Sequence, residues 1–324
     1  MSSEIKRQTL VALFSATNSN PNGDPRCGNL PRRIPHTGHG LFTDVSLKRK
    51  VRDTLKLYYG RRIWTDNDEY LKQKIDRYLV KGTGKTTEGN DEFSRAIFSE
   101  YIDARLFGGM WTFGAGTRSL KFTAPVNVSM FQSVCPIRIM DNQITRVCKT
   151  NPPPAKKESK KKTDDDDLEM ESNSSDNVDS EFGQKPIIAH GLYRGIIEIN
   201  PFLGEKTFLT QEDIDLFLEV LPRVYELTTS TIRPEVSMIG LHCFTHDDRL
   251  GSATRVEIND LVQVNPLVDV PTCVGDYQIE VLLDRMKSSL TYESLYEFQP
   301  AIRREPVAMA KGSAEKTSDL TLAN

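Results

Sequence analysis

An asparagine-rich stretch near the amino end carries side chains that could hold either a cation or a polyanion. In ATNSNPNGDPRCGNLPRR, residues 16–33, polar side chains recur at every second position: Asn18, Asn20, Asn22 and Asp24. A calcium loop has this spacing, but one beginning at Asn18 would place Asn29 where a bidentate glutamate belongs. The single carboxylate is followed by three arginines: Arg26, Arg32 and Arg33. Because arginines repel a cation and bind phosphate, the stretch predicts contact with a phosphate backbone.

Other chemical motifs fail on their spacing. Residues 84–86, Gly-Lys-Thr, resemble the end of a phosphate-binding P-loop, but Leu79 stands where the first glycine belongs. On a predicted strand, His242 and His246 share one face while Cys243 points to the other, and zinc requires three or four convergent ligands. No serine nucleophile elbow or catalytic dyad is evident in the sequence. We therefore predict no metal, no cofactor and no enzymatic activity.

A basic helix follows the loop. The segment TDVSLKRKVRDTLKLYYG, residues 43–60, can be capped by Thr43 or Asp44 and ended by Gly60. At 100° per residue its apolar stripe consists of Leu47, Val51, Leu55 and Tyr58. The adjoining stripe is basic: Lys48, Arg49, Arg52 and Lys56. Such a stripe is either a solvated face or a polyanion surface, and the neighbouring arginine-rich loop favours the polyanion surface.

The charge distribution supports that interpretation. The whole chain has a net charge of −3, yet residues 1–62 contain twelve Lys/Arg and only four Asp/Glu. Hydrophobic residues make up 38% and charged residues 27% of the 324 residues, as in a globular protein. No run approaches the ~18 apolar residues of a membrane helix. Five cysteines without CxxC spacing argue against a disulfide framework, so we expect a cytoplasmic protein.

The order of the predicted elements indicates the fold class. Residues 7–17 read as a strand, 18–42 as a long loop, 66–104 as mostly helical and 119–139 as one or two strands. The sheet resumes at 187–199, a helix with a capping box at Thr210 follows, and the last strands are predicted within 238–247 and 277–286. This order predicts an α+β fold with an elaborated ferredoxin-like core of the RNA-recognition type.

The chain is predicted to form a single domain over residues 1–302 with two insertions. One is helical and covers about residues 60–104, and the other covers about residues 135–189. Within the second, residues 150–186 carry six lysines and ten Asp/Glu and cannot bury enough apolar area to order themselves, so we expect disorder there. Residues 303–324 are predicted to be a flexible tail.

Six motifs in order carry a family resemblance. They are NPNGDP, TDVSLKRKVRD, DARLFGGM, APVNVSMFQSVCPI, GLYRGIIEINP and LHCFTHDDRLG, spread over roughly residues 6–265. Together they resemble the repeating backbone subunit of type I CRISPR Cascade surveillance complexes, most closely the subtype I-C form. The resemblance implies a hand-shaped fold: a palm, a fingers-like helical insertion at 60–104, and a thumb at 135–189.

The resemblance also implies a function in antiviral defence. Several copies are expected to stack as a helical filament along a CRISPR guide RNA, beside other Cascade subunits. Such a scaffold is non-catalytic and holds the guide without reading its bases, because pairing between guide and target DNA carries the sequence information. The expected contacts are therefore to phosphates and 2′-hydroxyls.

The matching motifs nominate the RNA-binding residues. They are Asn20, Asn22, Arg26, Arg32, Arg33, Thr43, Lys48, Arg49, Arg52, Arg105, Phe107 and Arg138. Asn20 and Asn22 would bond 2′-hydroxyls, whereas Asp24 is expected to cap its own loop or orient an arginine. For Arg105 and Phe107 the alternative, an ion-pair partner and an ordinary core residue, stays equally open.

Two other functions remain as alternatives. Backbone subunits of type III complexes cut target RNA with a loop aspartate, and Asp24 lies in the asparagine-rich loop, so a guide-directed endoribonuclease is one. The other is a protein-interaction module that binds no nucleic acid.

The sequence departs from ordinary RNA-recognition domains because RLFGGMW lacks their aromatic signature, so base stacking on the sheet is not expected.

Overall fold

The computed structural model describes residues 4–78, 87–113, 118–146 and 181–300. The helices within these ranges are α1 (Asp44–Leu57), α2 (Leu71–Tyr78), α3 (Thr87–Glu100), α4 (Ile102–Phe107), α5 (Pro201–Thr207), α6 (Gln211–Val220) and α7 (Arg255–Leu261). The strands of the amino-terminal half are β1 (Gln8–Ser19), β2 (Gly23–Asp24), β3 (Leu30–Pro31), β4 (His39–Phe42), β5 (Gly109–Phe113), β6 (Arg118–Phe122), β7 (Val126–Val128), β8 (Phe131–Pro136) and β9 (Ile139–Arg146). Those that follow are β10 (Glu181–Ile199), β11 (Val236–His246), β12 (Val262–Pro266), β13 (Tyr277–Val281) and β14 (Leu290–Glu297).

One large antiparallel sheet organises these elements. Its strand order is β14-β11-β1-β10-β8-β4, and β7 and β9 also pair with β10. Strand β1 lies in the middle and pairs on one side with β10 and on the other with β11. Helices α1 and α6 lie in the connections that lead away from β1 and from β10. The combination of helices and an antiparallel sheet confirms the α+β class.

Strand β1 is buried on both faces because the sheet is packed on both sides. Leu10, Ala12 and Phe14 belong to one hydrophobic core, whereas Val11 and Leu13 belong to a second one on the opposite face. A strand covered on both sides reads as a continuous apolar run, which explains the sequence LVALF.

The first core holds helices α1, α4 and α6 against the sheet. Leu47, Val51 and Leu55 supply the apolar face of α1 and are at most 1% exposed. The rings of Phe42 and Phe131 stack at 4.4 Å between centroids, where full burial of each such side chain contributes about 1.5–3 kcal/mol. This packing fixes the position of α1 on the sheet.

The second core covers the other face of the central strands. Ile258 of α7, Val262 and Val264 of β12, and Tyr277 of β13 pack against Val11 and other apolar residues of the sheet. In an ordinary RNA-recognition domain this kind of face is open and binds bases. Here the second core occupies it, so a nucleotide cannot stack on β1.

A third cluster forms a helical lobe. Trp64, Ile75 and Phe98 pack with Tyr101 and other buried residues between α2, α3 and the start of α4. The Trp64 and Tyr101 rings meet edge-on with centroids 5.1 Å apart. The lobe thus has its own apolar interior, within the range that the sequence assigned to a helical insertion.

Several local predictions require correction. The loop at residues 18–42 is not structureless, because it contains β2, β3, β4 and a 3-10 turn at Pro25–Cys27. The predicted helix from residue 66 begins only at Leu71, and Tyr101 separates α3 from α4. Tyr58 was predicted to face the core but is 57% exposed, since α1 ends at Leu57 before that turn is completed.

The end of the chain and the acidic insertion also differ from the prediction. Strand β14 is the last strand, and its sequence LTYESLYE is too polar to stand out because an edge strand buries only part of one face. Residues 181–186, predicted to be disordered, pair with β9 as the first part of β10. The rest of the acidic run and the predicted tail lie outside the described residues.

No helix among the described residues combines the length and the apolar character needed to cross a bilayer.

Candidate nucleic-acid interface

The asparagine-rich loop is held to the sheet by one buried amide. Asn20 is 1% exposed, and its Nδ2 donates to the carbonyl of Asn29 at 2.7 Å and to that of Pro186 at 3.2 Å. Pro186 belongs to the part of β10 that pairs with β9. Asn20 therefore fixes the loop to the base of the β9–β10 hairpin.

A second asparagine joins the loop to helix α1. The Oδ1 of Asn22 accepts hydrogen bonds from the backbone N and from the Oγ1 of Thr43, each at 3.1 Å. Thr43 is the N-cap of α1, and its Oγ1 accepts from the backbone N of Ser46 at 3.3 Å. Asn22 and Thr43 thus set the angle at which the loop enters the helix.

Asp24 acts within its own loop, as expected. One carboxylate oxygen accepts from the backbone N of Arg26 at 3.1 Å and caps the 3-10 turn. The other oxygen lies 3.4 Å from Nη1 of Arg32. Asp24 therefore stabilises the turn and orients one of the three loop arginines.

Three arginines of the loop and the hairpin base are exposed and make no side-chain hydrogen bond or ion pair within the described residues: Arg26, Arg33 and Arg138. Backbone contacts bring their segments together, because the amide of Ile137 donates to the carbonyl of Gly38 at 2.9 Å. Arg33 bridges to Gly40 at the same turn, and the carbonyl of Arg138 accepts from Ala189 of β10 at 3.0 Å. The loop and the hairpin base thus present unpaired guanidinium groups on a fixed backbone.

Glycines and an asparagine make the turns of this loop possible. Gly28, Asn29 and Gly38 have φ values of 59°, 59° and 72°, in the left-handed region that most residues avoid. Their backbone conformations turn the loop back towards β8.

The basic face of α1 is neutralised within the chain. Lys48 pairs with Asp44 at 2.9 Å, Arg49 with Asp53 at 2.7 Å, and Lys56 with Asp66. The Lys48 side chain is 16% exposed, whereas that of Arg49 is 46% exposed. The sequence identified these cations but not the carboxylates that meet them.

Among the cations of α1, Arg52 pairs with the most buried carboxylate. Its Nε lies 2.9 Å from Oδ2 of Asp103, a carboxylate that also accepts from the backbone N of Trp64 at 2.6 Å and of Thr65 at 3.2 Å. The Asp103 side chain is 1% exposed, and the Arg52 guanidinium lies 5.0 Å from the centre of the Phe107 ring. Asp103 thus joins α1 to the helical lobe through Arg52.

Arg105 is an ion-pair partner and Phe107 a core residue, which are the structural roles given above as the alternative to RNA binding. Nε and Nη2 of Arg105 each lie 2.7 Å from an oxygen of Asp213, and Nη1 donates to the carbonyl of Phe98 at 2.6 Å. Phe107 is 7% exposed and meets Phe217 edge-on in the first core. RNA contact by either residue stays a prediction.

Two further cations belong to this region but were not predicted. Lys185 precedes Pro186 on β10 and was hidden in the sequence by the acidic run beside it. Lys50 of α1 lies 3.6 Å from Asp53, and burial, followed by the charge of Arg233, lowers the pKa of its ammonium group. The signal that could have revealed Lys185 is its position: it lies beside Pro186, at the end of the acidic segment that adjoins the predicted strand 187–199.

The three histidine and cysteine residues of the rejected metal motif have other partners. His242 Nδ1 lies 3.1 Å from the Tyr292 hydroxyl, and His246 contacts Thr9 Oγ1 at 3.0 Å. Cys243 is in the first core, on the other face of β11. Among the described residues, no group of three potential metal ligands converges.

The arrangement suits a polyanion of any sequence. Guanidinium groups bind phosphate through fixed forks of N–H donors, and here they extend from a loop whose own polar groups are already bonded to one another. Asn20 and Asn22 use side-chain atoms to hold the loop, which leaves Asn20 Oδ1 as a buried acceptor without a partner among the described residues. Guanidinium groups presented in this way suit phosphate oxygens, which carry no sequence information.

Comparison with known proteins identifies relatives of this chain. The model of the family described as CRISPR-associated protein Cas7 matches residues 6–282. A Haloferax volcanii protein, described as CRISPR-associated protein Cas7, is 31% identical over 121 residues. That match covers 35% of this chain and 35% of the relative, so only about a third of either sequence is compared.

A comparison of structures matches this chain to subunits of RNA-guided complexes. A chain of a CRISPR RNA-guided surveillance complex in a pre-nicking state is 16% identical, with a TM-score of 0.40, covering 74% of this chain and 75% of that one. A chain of the Type III-B Cmr-beta complex bound to cognate target RNA is 9% identical, with a TM-score of 0.37, covering 74% of this chain and 61% of that one.

Proposed function

Since this chain belongs to the family of CRISPR-associated protein Cas7, with residues 6–282 matched, we propose that it is the guide-RNA-binding backbone subunit of a Cascade-type complex. In this proposal several copies stack along the guide, bind it without reading its bases and support its pairing with target DNA. The observation that carries the proposal is a group of three exposed arginines without an ion pair among the described residues: Arg26 and Arg33 on a loop that Asn20 fixes to a β-hairpin, and Arg138 at the base of that hairpin.

The proposal gives the predicted contact residues unequal roles. The exposed arginines and Lys185 can meet phosphates at once, because no ion pair within the described residues has to break first. Lys48, Arg49 and Arg52 can reach RNA only by sharing or exchanging their aspartates. Arg32 is intermediate in its access to RNA, since its side chain is 31% exposed but lies beside Asp24.

We further propose that the core is ferredoxin-like and that the β9–β10 hairpin is the thumb of a hand-shaped subunit. Support comes from the strand order β11-β1-β10-β8, which is the 4-1-3-2 order of a β-α-β-β-α-β core when insertions are left out. The helical lobe corresponds to the fingers in this proposal, and subtype I-C is the proposed form of the subunit.

The proposed subunit is non-catalytic. Asp24 supports this because both of its carboxylate oxygens already have partners, Arg26 N and Arg32 Nη1, inside the loop. Incubation of the assembled complex with complementary RNA is expected to leave that RNA intact. Periodic cleavage that disappears in Asp24→Ala would instead establish an endoribonuclease.

The experiment that tests the proposed function is co-expression of the full chain with and without a CRISPR guide. We expect RNA-bound assemblies of several discrete sizes with the guide, and their loss after ribonuclease treatment. A monomer free of nucleic acid under both conditions would contradict the proposal and favour a protein-interaction module.

A further inference from the structure

A second cleft carries arginines and an exposed aromatic ring. It has a volume of about 470 Å³ and lies between the end of α3, helix α4, the α5–α6 junction and the segment after α1. Its lining includes Arg61, Arg95, Arg105 and Phe208. Arg61 follows the carboxyl end of α1, whereas the asparagine-rich loop leads into its amino end. A helix of fourteen residues is roughly 21 Å long, so the two sites are separate.

Phe208 has an unusual conformation for a phenylalanine. It follows the end of α5 with φ 55° and ψ 34°, a left-handed position that glycine ordinarily occupies at helix ends. Its ring is nevertheless 49% exposed. Residues in strained backbone concentrate at functional sites, which makes the exposed Phe208 a candidate for a binding role.

The ring is supported from behind and open in front. Phe98 lies 6.1 Å from it between centroids, tilted by 48°, and the Arg95 guanidinium lies 5.8 Å from the ring centre. Phe98 is 1% exposed, so it belongs to the interior and serves as the support. Phe208 thus contributes an aromatic surface that is 49% exposed at the cleft.

Apart from one internal ion pair, between Arg105 and Asp213, the charged side chains of the cleft carry a net positive charge. Arg105 and Asp213 neutralise each other through two contacts of 2.7 Å. Arg61 and Arg95 are exposed and have no ion-pair partner among the described residues, against the single exposed carboxylate of Glu212. An anionic group therefore has two guanidinium donors beside the ring.

We propose that this cleft binds one nucleotide of a single strand that is not the guide, with its base on Phe208 and its phosphate between Arg61 and Arg95. An aromatic face beside cations is the arrangement by which proteins hold single-stranded nucleic acid without base preference. The inference rests on the proposed function, because pairing of the guide with one strand of a target DNA duplex leaves the other strand single.

The test uses the full chain loaded with guide and a fluorescein-labelled twelve-nucleotide thymidine oligomer that is not complementary to the guide. Fluorescence anisotropy reports its binding. We expect Phe208→Gly to weaken binding on the order of ten-fold, the loss that one base–aromatic stack produces. Phe208→Trp should preserve binding, and Arg61→Ala with Arg95→Ala should weaken it and reduce its salt dependence.

Two readouts separate ligand binding from a structural role. Phe208→Gly relieves the left-handed backbone, so its thermal stability should stay close to that of the wild type while its affinity for the oligomer falls. Phe202→Ala and Lys206→Ala, on α5 but outside the cleft, should leave oligomer binding unchanged and serve as controls.

Three outcomes would overturn the proposal. They are oligomer binding by Phe208→Gly at the wild-type level, loss of binding only in proportion to lost stability, and a change in self-association in its place. Guide binding, measured on the same variants, should be unaffected by Phe208→Gly. A wild-type chain that fails to bind guide but still binds the oligomer through Phe208 would refute the proposed function and leave the cleft as a single-strand site.

Discussion

Replacing Arg52 by alanine should destabilise the fold, because this arginine is the partner of a buried carboxylate. Asp103 is 1% exposed, and Arg52 is the only cationic side chain that pairs with it among the described residues. In Arg52→Ala the carboxylate keeps the backbone donors of Trp64 and Thr65 but has no countercharge.

The magnitude follows from that geometry. Removal of one member of a buried ion pair costs about 3–5 kcal/mol of unfolding free energy. Two backbone N–H groups continue to stabilise the Asp103 carboxylate, so we expect the lower end, about 3 kcal/mol. Loss of the guanidinium contact with Phe107, 5.0 Å from the ring centre, acts in the same direction.

Arg49 offers a matched control on the same helix. Its side chain is 46% exposed and pairs with Asp53 and, at 3.5 Å, with the buried Asp66, which keeps Lys56 as a countercharge. Arg49→Ala should therefore cost about 0.5 kcal/mol. Urea unfolding followed by circular dichroism measures both variants. If Arg52→Ala and Arg49→Ala lost the same small amount, Asp103 would not be the junction between α1 and the helical lobe.

Three further predictions concern the sheet and its helices. Burial lowers the pKa of His190 to about 4 from an ordinary value near 6.5, against an opposing effect of Asp276. As the pH falls, His190 is therefore protonated in the unfolded chain before it is protonated in the folded one. The free energy of unfolding should decrease by up to roughly 3 kcal/mol as the pH is lowered from 6.5 to 4. In urea titrations across that range, His190→Gln should flatten the decline, and an unchanged pH profile would contradict the assignment. Thr210→Ala removes the cap of α6 and should cost about 1 kcal/mol in the same assay, whereas Thr210→Ser should be nearly neutral. Gly40→Ala would place a Cβ 2.9 Å from a side-chain atom of Ile137 and against the Tyr193 hydroxyl, so a loss of about 1–3 kcal/mol is expected, and wild-type stability would show that this close approach is relaxed.

Local signals in the sequence were sufficient for much of the fold. The apolar run of β1, the Thr43 cap, and the capping box of Thr210 with Asp213 are all present, since each depends on neighbours within a few residues. Helix α6 ends at Val220, and the 3-10 turn Leu221–Arg223, which contains Pro222, follows it. Strand β14 was not predicted because its polar sequence carries no strand pattern. Its backbone pairing with β11, which the sequence does not display, makes it a strand.

The candidate site was predictable in part, and the missing part depends on distant contacts. The sequence identified the cations of α1 but could not distinguish Arg52, which meets Asp103 fifty-one positions away, from an arginine free to bind phosphate. The same holds for Asn20, whose partner Pro186 lies 166 positions away. Long-range pairing of this kind decides which charges stay exposed, and a single sequence does not display it.

The central claim is that unpaired cations on the asparagine-rich loop and hairpin base bind the RNA backbone. Guide-RNA affinity, measured from low to high salt, tests it with the triple variant Arg26→Ala, Arg33→Ala, Arg138→Ala. If each arginine neutralises one phosphate, the slope of log affinity against log salt should become shallower by about 2.

A second triple variant removes the same charge elsewhere: Lys206→Ala, Arg223→Ala and Arg285→Ala, all exposed and on other elements. We expect this control to keep the wild-type slope and the loop variant to lose both affinity and salt dependence. Equal slopes for the two variants and the wild type would contradict the account.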